Sequence, residues 1–225
     1  MSYILHIETA TKNCSVSIAK SGKLIALKEL NTGGYSHAEK LHVFMEEALS
    51  EAGLQFSDLS AVCVGKGPGS YTGLRIGVSA AKGICFALDI PLIAIESLTV
   101  LAHAVKAETG SIIPLLDARR LEVYSAVFNA DHSPVRETQA EIIDTSSFGT
   151  YLEKGKVYFI GDGAEKCKAY IQHENAIFIA DAYPSAKEMS SLSYERFLNE
   201  DFEDVAYFEP FYLKDFVGTK PKKRA

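Results

Sequence analysis

Apolar residues along this chain follow two periods, and the switch between them occurs twice in the same order. Residues 3–7, 15–19 and 24–30 are extended runs that predict three strands, with Ser21-Gly22 as the hairpin turn between the second and third. From about 38 to 52 the spacing becomes helical, with Leu41, Phe44, Met45, Ala48 and Ala52 recurring at that period. A short buried strand over 61–64, a helix over 73–88, a strand over 92–95 and a helix over about 97–105 complete the first half. The second half repeats that order. Strands are expected at 112–116, 122–128 and roughly 135–143, followed by helix 146–153, strand 157–160, helix 164–173, strand 176–179 and helix 185–197. Two copies of βββαβαβα predict a duplicated α/β fold with a mixed sheet in each half. The Glu108-Thr109-Gly110-Ser111 turn marks the boundary, giving an N-terminal half 1–108 and a C-terminal half 109–225.

The densest local signal is the run Gly65-Lys-Gly-Pro-Gly-Ser-Tyr-Thr-Gly-Leu-Arg-Ile-Gly77, which follows a buried strand and opens a helix. Free backbone N–H groups and the helix dipole favour an anion at such a place. The specific phosphate motifs are not met. No Lys-Ser or Lys-Thr pair follows the glycines, and neither Gly65-x-Gly67 nor Gly67-x-Gly69 has a glycine three residues on. The competing reading is a tight turn, with glycine supplying positive φ and Pro68 fixing one bend. Gly73, Gly77 and Ala81 then recur at i, i+4 and i+8, a bare helical face on which another helix can pack. Both readings stay open on sequence.

Composition narrows the class. At 225 residues, 47% hydrophobic and 23% charged, the chain is ordinary globular material, which excludes disorder, collagen and coiled coil. The longest stretches without Asp, Glu, Lys or Arg, 30–38 and 97–105, are far short of the roughly 20 residues that a membrane helix needs. The first eight residues lack the basic start of a secretory signal. Cys14, Cys63, Cys85 and Cys167 are widely spaced in apolar surroundings, which predicts reduced structural thiols and a cytoplasmic protein. The net charge of −6 becomes −10 once the tail cations Lys220, Lys222, Lys223 and Arg224 are set aside, leaving 19 basic against 29 acidic residues. A body that acidic repels phosphate backbones, so any contact with nucleic acid is expected to be indirect.

The loop also carries a family resemblance. Gly67-Pro-Gly-Ser-Tyr-Thr-Gly-Leu-Arg-Ile-Gly77, running on to Ala81-Lys-Gly83, resembles the signature of the TsaB family, bacterial partner proteins in tRNA threonylcarbamoyladenosine synthesis. Residues 4–17 are similar to that family's opening strand and hairpin. Ser36-His-Ala-Glu-Lys-Leu41 resembles its first helix start, and Asp117-Ala-Arg-Arg-Leu-Glu-Val-Tyr124 resembles its DARxxEVY segment. The resemblance implies the duplicated actin-like ATPase (RNase H-like) fold and a non-catalytic role. It further implies pairing with a TsaD-like catalytic paralogue and a TsaE-like ATPase, which together move threonylcarbamoyl from its adenylate to N6 of the adenosine beside the anticodon. One departure stands out: the family's first strand usually ends Asp-Thr-Ser, and here it ends Glu8-Thr9-Ala10. The longer acid and the lost hydroxyl weaken the case for an independent nucleotide site.

Candidate residues follow. The partner surface is expected on the first two major helices, with Leu41, Met45 and Leu49 as apolar knobs and Gly73, Gly77 and Ala81 as a flat groove. Two such helix pairs can form a four-helix bundle, and the same surface allows a homodimer when the partner is absent. Glu8, Thr9, Gly67, Gly69, Ser70 and Thr72 form a possible vestigial phosphate site, and the enzyme alternative is an ATPase or small-molecule kinase using them with Gly161-Asp162-Gly163. Asp117, Arg119, Arg120 and Glu122 read as a charged hairpin turn or as a tRNA or partner contact, and the tail 220–224 as a further phosphate contact. A metalloprotease is the third alternative. His37 and His42 are five apart, about 140° around a helix, whereas one-face zinc ligation wants i, i+4. His6, His103, His132 and His173 show no ligand spacing, and no G-x-S-x-G elbow surrounds Ser70. No metal or cofactor is expected.

Overall fold

Residues 1–31, 33–34 and 36–214 are described by the computed structural model. Its opening strands β1 (Tyr3–Glu8), β2 (Cys14–Lys20) and β3 (Lys23–Leu30) form an antiparallel meander. Helix α1 (His37–Ala52) crosses back so that β4 (Ala61–Gly67) runs parallel to β1. Helix α2 (Tyr71–Leu88) does the same for β5 (Leu92–Glu96), giving the order β3-β2-β1-β4-β5. The second sheet has the same plan. After α3 (Ser97–Ala102), strands β6 (Ser111–Asp117), β7 (Glu122–Asn129) and β8 (Pro134–Ile142) form the meander, and β9 (Val157–Ile160) and β10 (Ala176–Ile179) add in parallel. Its order, β10-β9-β6-β7-β8, is the first sheet's order repeated.

Both central strands are buried on both faces, as their unbroken apolar runs require. Leu5, Ile7, Val62 and Val64 face Leu41, Met45 and Val78 of α1 and α2. The alternate residues Ile4, Cys63, Ile93 and Ile95 face Ala186 and Met189. Met189 opens α6 (Met189–Leu198), the last helix among the described residues. The second sheet lays Ile113, Leu115 and Phe159 against short helices α4 (Gly149–Leu152) and α5 (Ala164–Cys167), while Ile112, Leu116 and Ala126 face Leu98 and Leu101 of α3. Helix α3 therefore lies between the sheets, with Val100 against the first and Leu98 and Leu101 against the second, while α6 from the second half seals the first. The division expected at 108/109 separates the sheets but not the packed units, because apolar periodicity says that a helix has a buried face and not which sheet it covers.

A buried polar chain fastens α6 in place. The His6 ring lies between the Ser17 hydroxyl (3.0 Å from Nδ1) and the Ser193 hydroxyl (2.7 Å from Nε2). Burial pushes its pKa down to about 3, so the ring is neutral at ordinary pH. Ser17 Oγ donates to Ala186 O at 2.8 Å, so it accepts from Nδ1–H, and Nε2 accepts from Ser193. Beyond α6, residues 199–214 run back over the first half without regular structure. Glu203 N–H donates to Leu92 O at 2.9 Å, Lys82 Nζ to Phe208 O at 2.8 Å and Phe211 N–H to Lys66 O at 2.7 Å.

Several boundaries differ from expectation. Strand β4 continues through Gly67 because Gly65 and Gly67 still pair with β5 across a bulge. Helix α2 starts two residues early because Ser70 caps it, accepting Gly73 N–H on Oγ. Helices α4 and α5 are single turns, and the expected helix 185–197 begins as a 3-10 turn, Ala186–Glu188, started by the Ser185 side chain.

Candidate functional site

The turn after β1 and the glycine-rich turn before α2 are built against each other. Glu8 is fully buried, accepting Ala10 N–H at 2.7 Å on one carboxyl oxygen and the Ser97 hydroxyl at 2.9 Å on the other. Gly65 leaves room for that carboxyl, since a Cβ there would overlap it. Burial raises the Glu8 pKa to about 7, against hydrogen bonds from Ala10, Ser97 and Thr9 that favour the charge. Thr9 Oγ1 donates to Gly73 O at 2.8 Å, and Ser70 N–H donates to Ala10 O at 2.6 Å. Gly69 and Gly73 abut the backbone of Ala10 and Thr9, and Gly67 (φ 103°) lies beneath Leu74 and Phe211 O.

These contacts correct the phosphate-site expectation. The structure does bring Glu8, Thr9, Gly67, Gly69, Ser70 and Thr72 together. Yet the Thr9 and Ser70 hydroxyls and the Ser70 amide are spent within the turn, and Glu8 is sealed from solvent. Thr72 alone among the six is exposed. Close packing between β1 and α2 is what the glycines serve.

The expected partner residues are also placed inward. Leu41, Met45 and Leu49 are 0%, 1% and 3% exposed within the first core, and Gly73, Gly77 and Ala81 are buried too. A Cβ at Gly77 would strike Thr9 Oγ1 and meet Ile7 at 3.4 Å, so the bare face receives this chain's own first strand. The strongest apolar stripe of each helix faces its own sheet, as burial favours. It is the opposite faces that stay open. Ala38 and His42 of α1, with Ile76, Ala80, Gly83, Ile84 and Ala87 of α2, line a groove of about 860 Å³. Phe86, 84% exposed, and Val43, 43% exposed, lie outside the core on the same two helices. A sequence signal for this existed: α2 carries only Arg75 and Lys82 as charges in 18 residues, so it is apolar nearly all round.

Arg75 lies at the N-terminal end of α2. Its guanidinium stacks 4.0 Å over the Tyr71 ring, hydrogen-bonds to the Tyr71 hydroxyl and donates to Tyr212 Oη at 3.2 Å. The Tyr71 and Tyr212 rings lie 4.8 Å apart, so the returning C-terminal segment meets the end of the groove.

Arg119 and Arg120 are exposed at the tip of the β6–β7 hairpin, with φ of 72° and 54°. Two consecutive residues are thus left-handed, a backbone that costs residues other than glycine and asparagine about 1 kcal/mol each. Asp117 and Glu122 flank it: Lys166 pairs with Asp117 and Lys214 with Glu122. The tail 220–224 lies outside the described residues.

The histidines are dispersed. His37 is buried, its Nε2 2.7 Å from Thr11 O, while His42 is exposed on α1. Among the described residues no three His, Cys, Asp or Glu side chains converge as metal ligands. All four cysteines are buried free thiols, and no described helix is long and apolar enough to cross a membrane.

Two mixed five-stranded sheets of one topology, with α3 packed between them, define a protein of the duplicated actin-like ATPase fold. The family model described as TsaD, tRNA N6-adenosine threonylcarbamoyltransferase, matches residues 32–221, and the chain belongs to this family, within its TsaB group. The TsaB protein of Escherichia coli K12, a tRNA threonylcarbamoyladenosine biosynthesis protein, is 27% identical over 96% of both chains. That of Bacillus subtilis 168 is 35% identical over 56% of this chain and 54% of its own length. The solved structure of YeaZ from Pseudomonas aeruginosa superposes with a TM-score of 0.82 at 25% identity, covering 95% of this chain and all of that one.

Proposed function

We propose that this chain serves tRNA threonylcarbamoyladenosine formation in the cytoplasm as a non-catalytic docking subunit. It offers the outer faces of α1 and α2 to a TsaD-like catalytic paralogue, with a TsaE-like ATPase acting on the pair. When alone it covers the same faces with a second copy of itself. The observation that carries this reading is the apolar groove along α2, on helices that also expose Phe86 and Val43. A helix with apolar residues on both faces, one of them open, wants a second layer. The partner of this fold has related helices, so helix-on-helix packing supplies that layer. The acid and hydroxyl that an actin-like enzyme would aim at phosphate, Glu8 and Thr9, are buried here, which supports a supporting role over an independent ATPase or kinase. The deciding experiment is a tRNA modification assay with TsaD and TsaE, run with and without this chain. Modification that requires the chain is the expected result, and equal product without it overturns the reading.

Gly83 gives a clean probe of the groove. It lines the floor, is exposed, and a Cβ there would meet nothing within 4 Å. In Gly83→Glu the helix gains about 0.5–1 kcal/mol of propensity, while a charge enters a face that must be desolvated on docking. The variant should fold at least as stably as the parent and bind the paralogue about 100-fold more weakly. Stoichiometric co-elution at micromolar concentration would place the interface elsewhere.

A further inference from the structure

The β6–β7 hairpin holds a feature that the docking role does not use. Its two arginines occupy consecutive left-handed positions of a three-residue loop, a backbone in which asparagine and glycine are the usual residues. The turn is nevertheless rigidly made. Ala118 N–H donates to Glu122 O at 3.0 Å, Glu122 N–H to Arg119 O at 3.2 Å and Arg119 N–H to the Asp117 carboxylate at 2.8 Å. Lys166 binds it from beneath, donating to the carbonyls of Arg120, at 3.1 Å, and of Glu122.

Charge is sorted within this cluster. Lys166 neutralises Asp117, and Lys214 neutralises Glu122, so the hairpin's own acids are already occupied. Among the described residues neither guanidinium has a hydrogen-bond or ion-pair partner, and both are exposed. Two uncompensated, planar, five-donor cations thus stand side by side on a stiff support, on a chain whose net charge is −6. The sequence after Lys214 adds Lys220, Lys222, Lys223 and Arg224.

We infer that this hairpin is a phosphodiester grip: Arg119 and Arg120 each take one phosphate of the RNA that the assembly modifies. The inference rests on the tRNA-pathway reading above. A guanidinium fork matches two phosphate oxygens. With a net charge of −6 the chain as a whole repels RNA, so a contact needs a local pair of free cations such as this one. Such a contact adds modest affinity but sets which way the RNA lies.

The test uses the complete assembly of this chain with the catalytic paralogue, and fluorescein-labelled unmodified tRNA as the probe. Anisotropy titrations across a KCl series give affinity and salt slope together. Arg119→Gln with Arg120→Gln should weaken tRNA binding about tenfold at low salt and flatten the log–log slope by about 1.4, from roughly 0.7 per single-strand phosphate released. Arg119→Lys with Arg120→Lys should keep the slope. A third variant, Arg119→Asn with Arg120→Gly, relieves the left-handed backbone at both positions, so it should melt about 4–8 °C higher while binding tRNA as poorly as the glutamine pair. Unchanged affinity and slope in the glutamine pair overturn the inference. Loss of co-elution with the paralogue at an unchanged salt slope overturns it too, because the arginines would then face an acidic protein surface. Neither result touches the proposed function, which fails only if modification proceeds without the chain.

Discussion

Alanine at position 73 is expected to destabilise the chain by about 3 kcal/mol, although alanine is the better helix former by about 1 kcal/mol. Gly73 sits in the first turn of α2, where an added Cβ overlaps Thr9 O and crowds His37 Cδ2 and Ser70 Cβ at 3.3 Å. The overlapping atom is backbone on the central strand's exit, so no side-chain rotation relieves it. The helix cannot slide away either, because Thr9 Oγ1 holds Gly73 O at 2.8 Å and Ser70 N–H holds Ala10 O. Gly83→Ala is the matched control. It carries the same propensity gain in open space and should raise stability by about 1 kcal/mol. Urea midpoints measured for both variants settle the matter: equal shifts of the same sign would mean that α2 is not seated on the β1 turn.

The second large effect is a pH dependence. With a pKa of about 7 in the folded chain against an ordinary value of 4.5, Glu8 binds its proton more tightly when folded than when unfolded. Stability from this group is complete below about pH 4.5. It is lost as pH rises through 7, where a buried carboxylate must be carried without a cationic partner. The loss amounts to about 3 kcal/mol by pH 8, from roughly 1.4 kcal/mol per pH unit. Glu8→Gln keeps the size and both hydrogen-bonding positions but cannot ionise. It should therefore match the parent near pH 5 and exceed it by about 3 kcal/mol at pH 8. Parallel urea midpoints for the two proteins over that range would exclude a buried, titrating Glu8. The position matters structurally, because Ser97, its partner, opens the helix that crosses to the second sheet.

The strands were legible because their periods are strong: each expected strand forms, within a few residues. The ends of β4 and α2 were not, since glycine breaks apolar periodicity while leaving the backbone free to pair, as Gly65 and Gly67 do with β5. The glycine face of α2 was recognised as a close-packing surface, and its partner was misassigned. Spacing reports that a second backbone comes near; it does not report that the backbone is Thr9–Ala10 of the same chain. Leu41, Met45 and Leu49 were misread for a related reason. On an amphipathic helix the strongest apolar stripe is the one that folding covers first, and docking surfaces are found in what remains. The hairpin at Arg119 and Arg120 was read as charged, but its left-handed backbone and the capture of its acids by Lys166 and Lys214 depend on residues more than 40 positions away.

The closing of the first sheet by α6, from the second half, has a consequence for synthesis. When the ribosome has made the first sheet, the residues that seal its outer face, Ala186 and Met189, are still about a hundred codons away. At roughly 5–20 residues per second, that sheet waits on the order of 5–20 s with this face covered only in part, by Val100 of α3. The nascent chain must be sheltered during that interval, and folding is completed only as its last segment emerges.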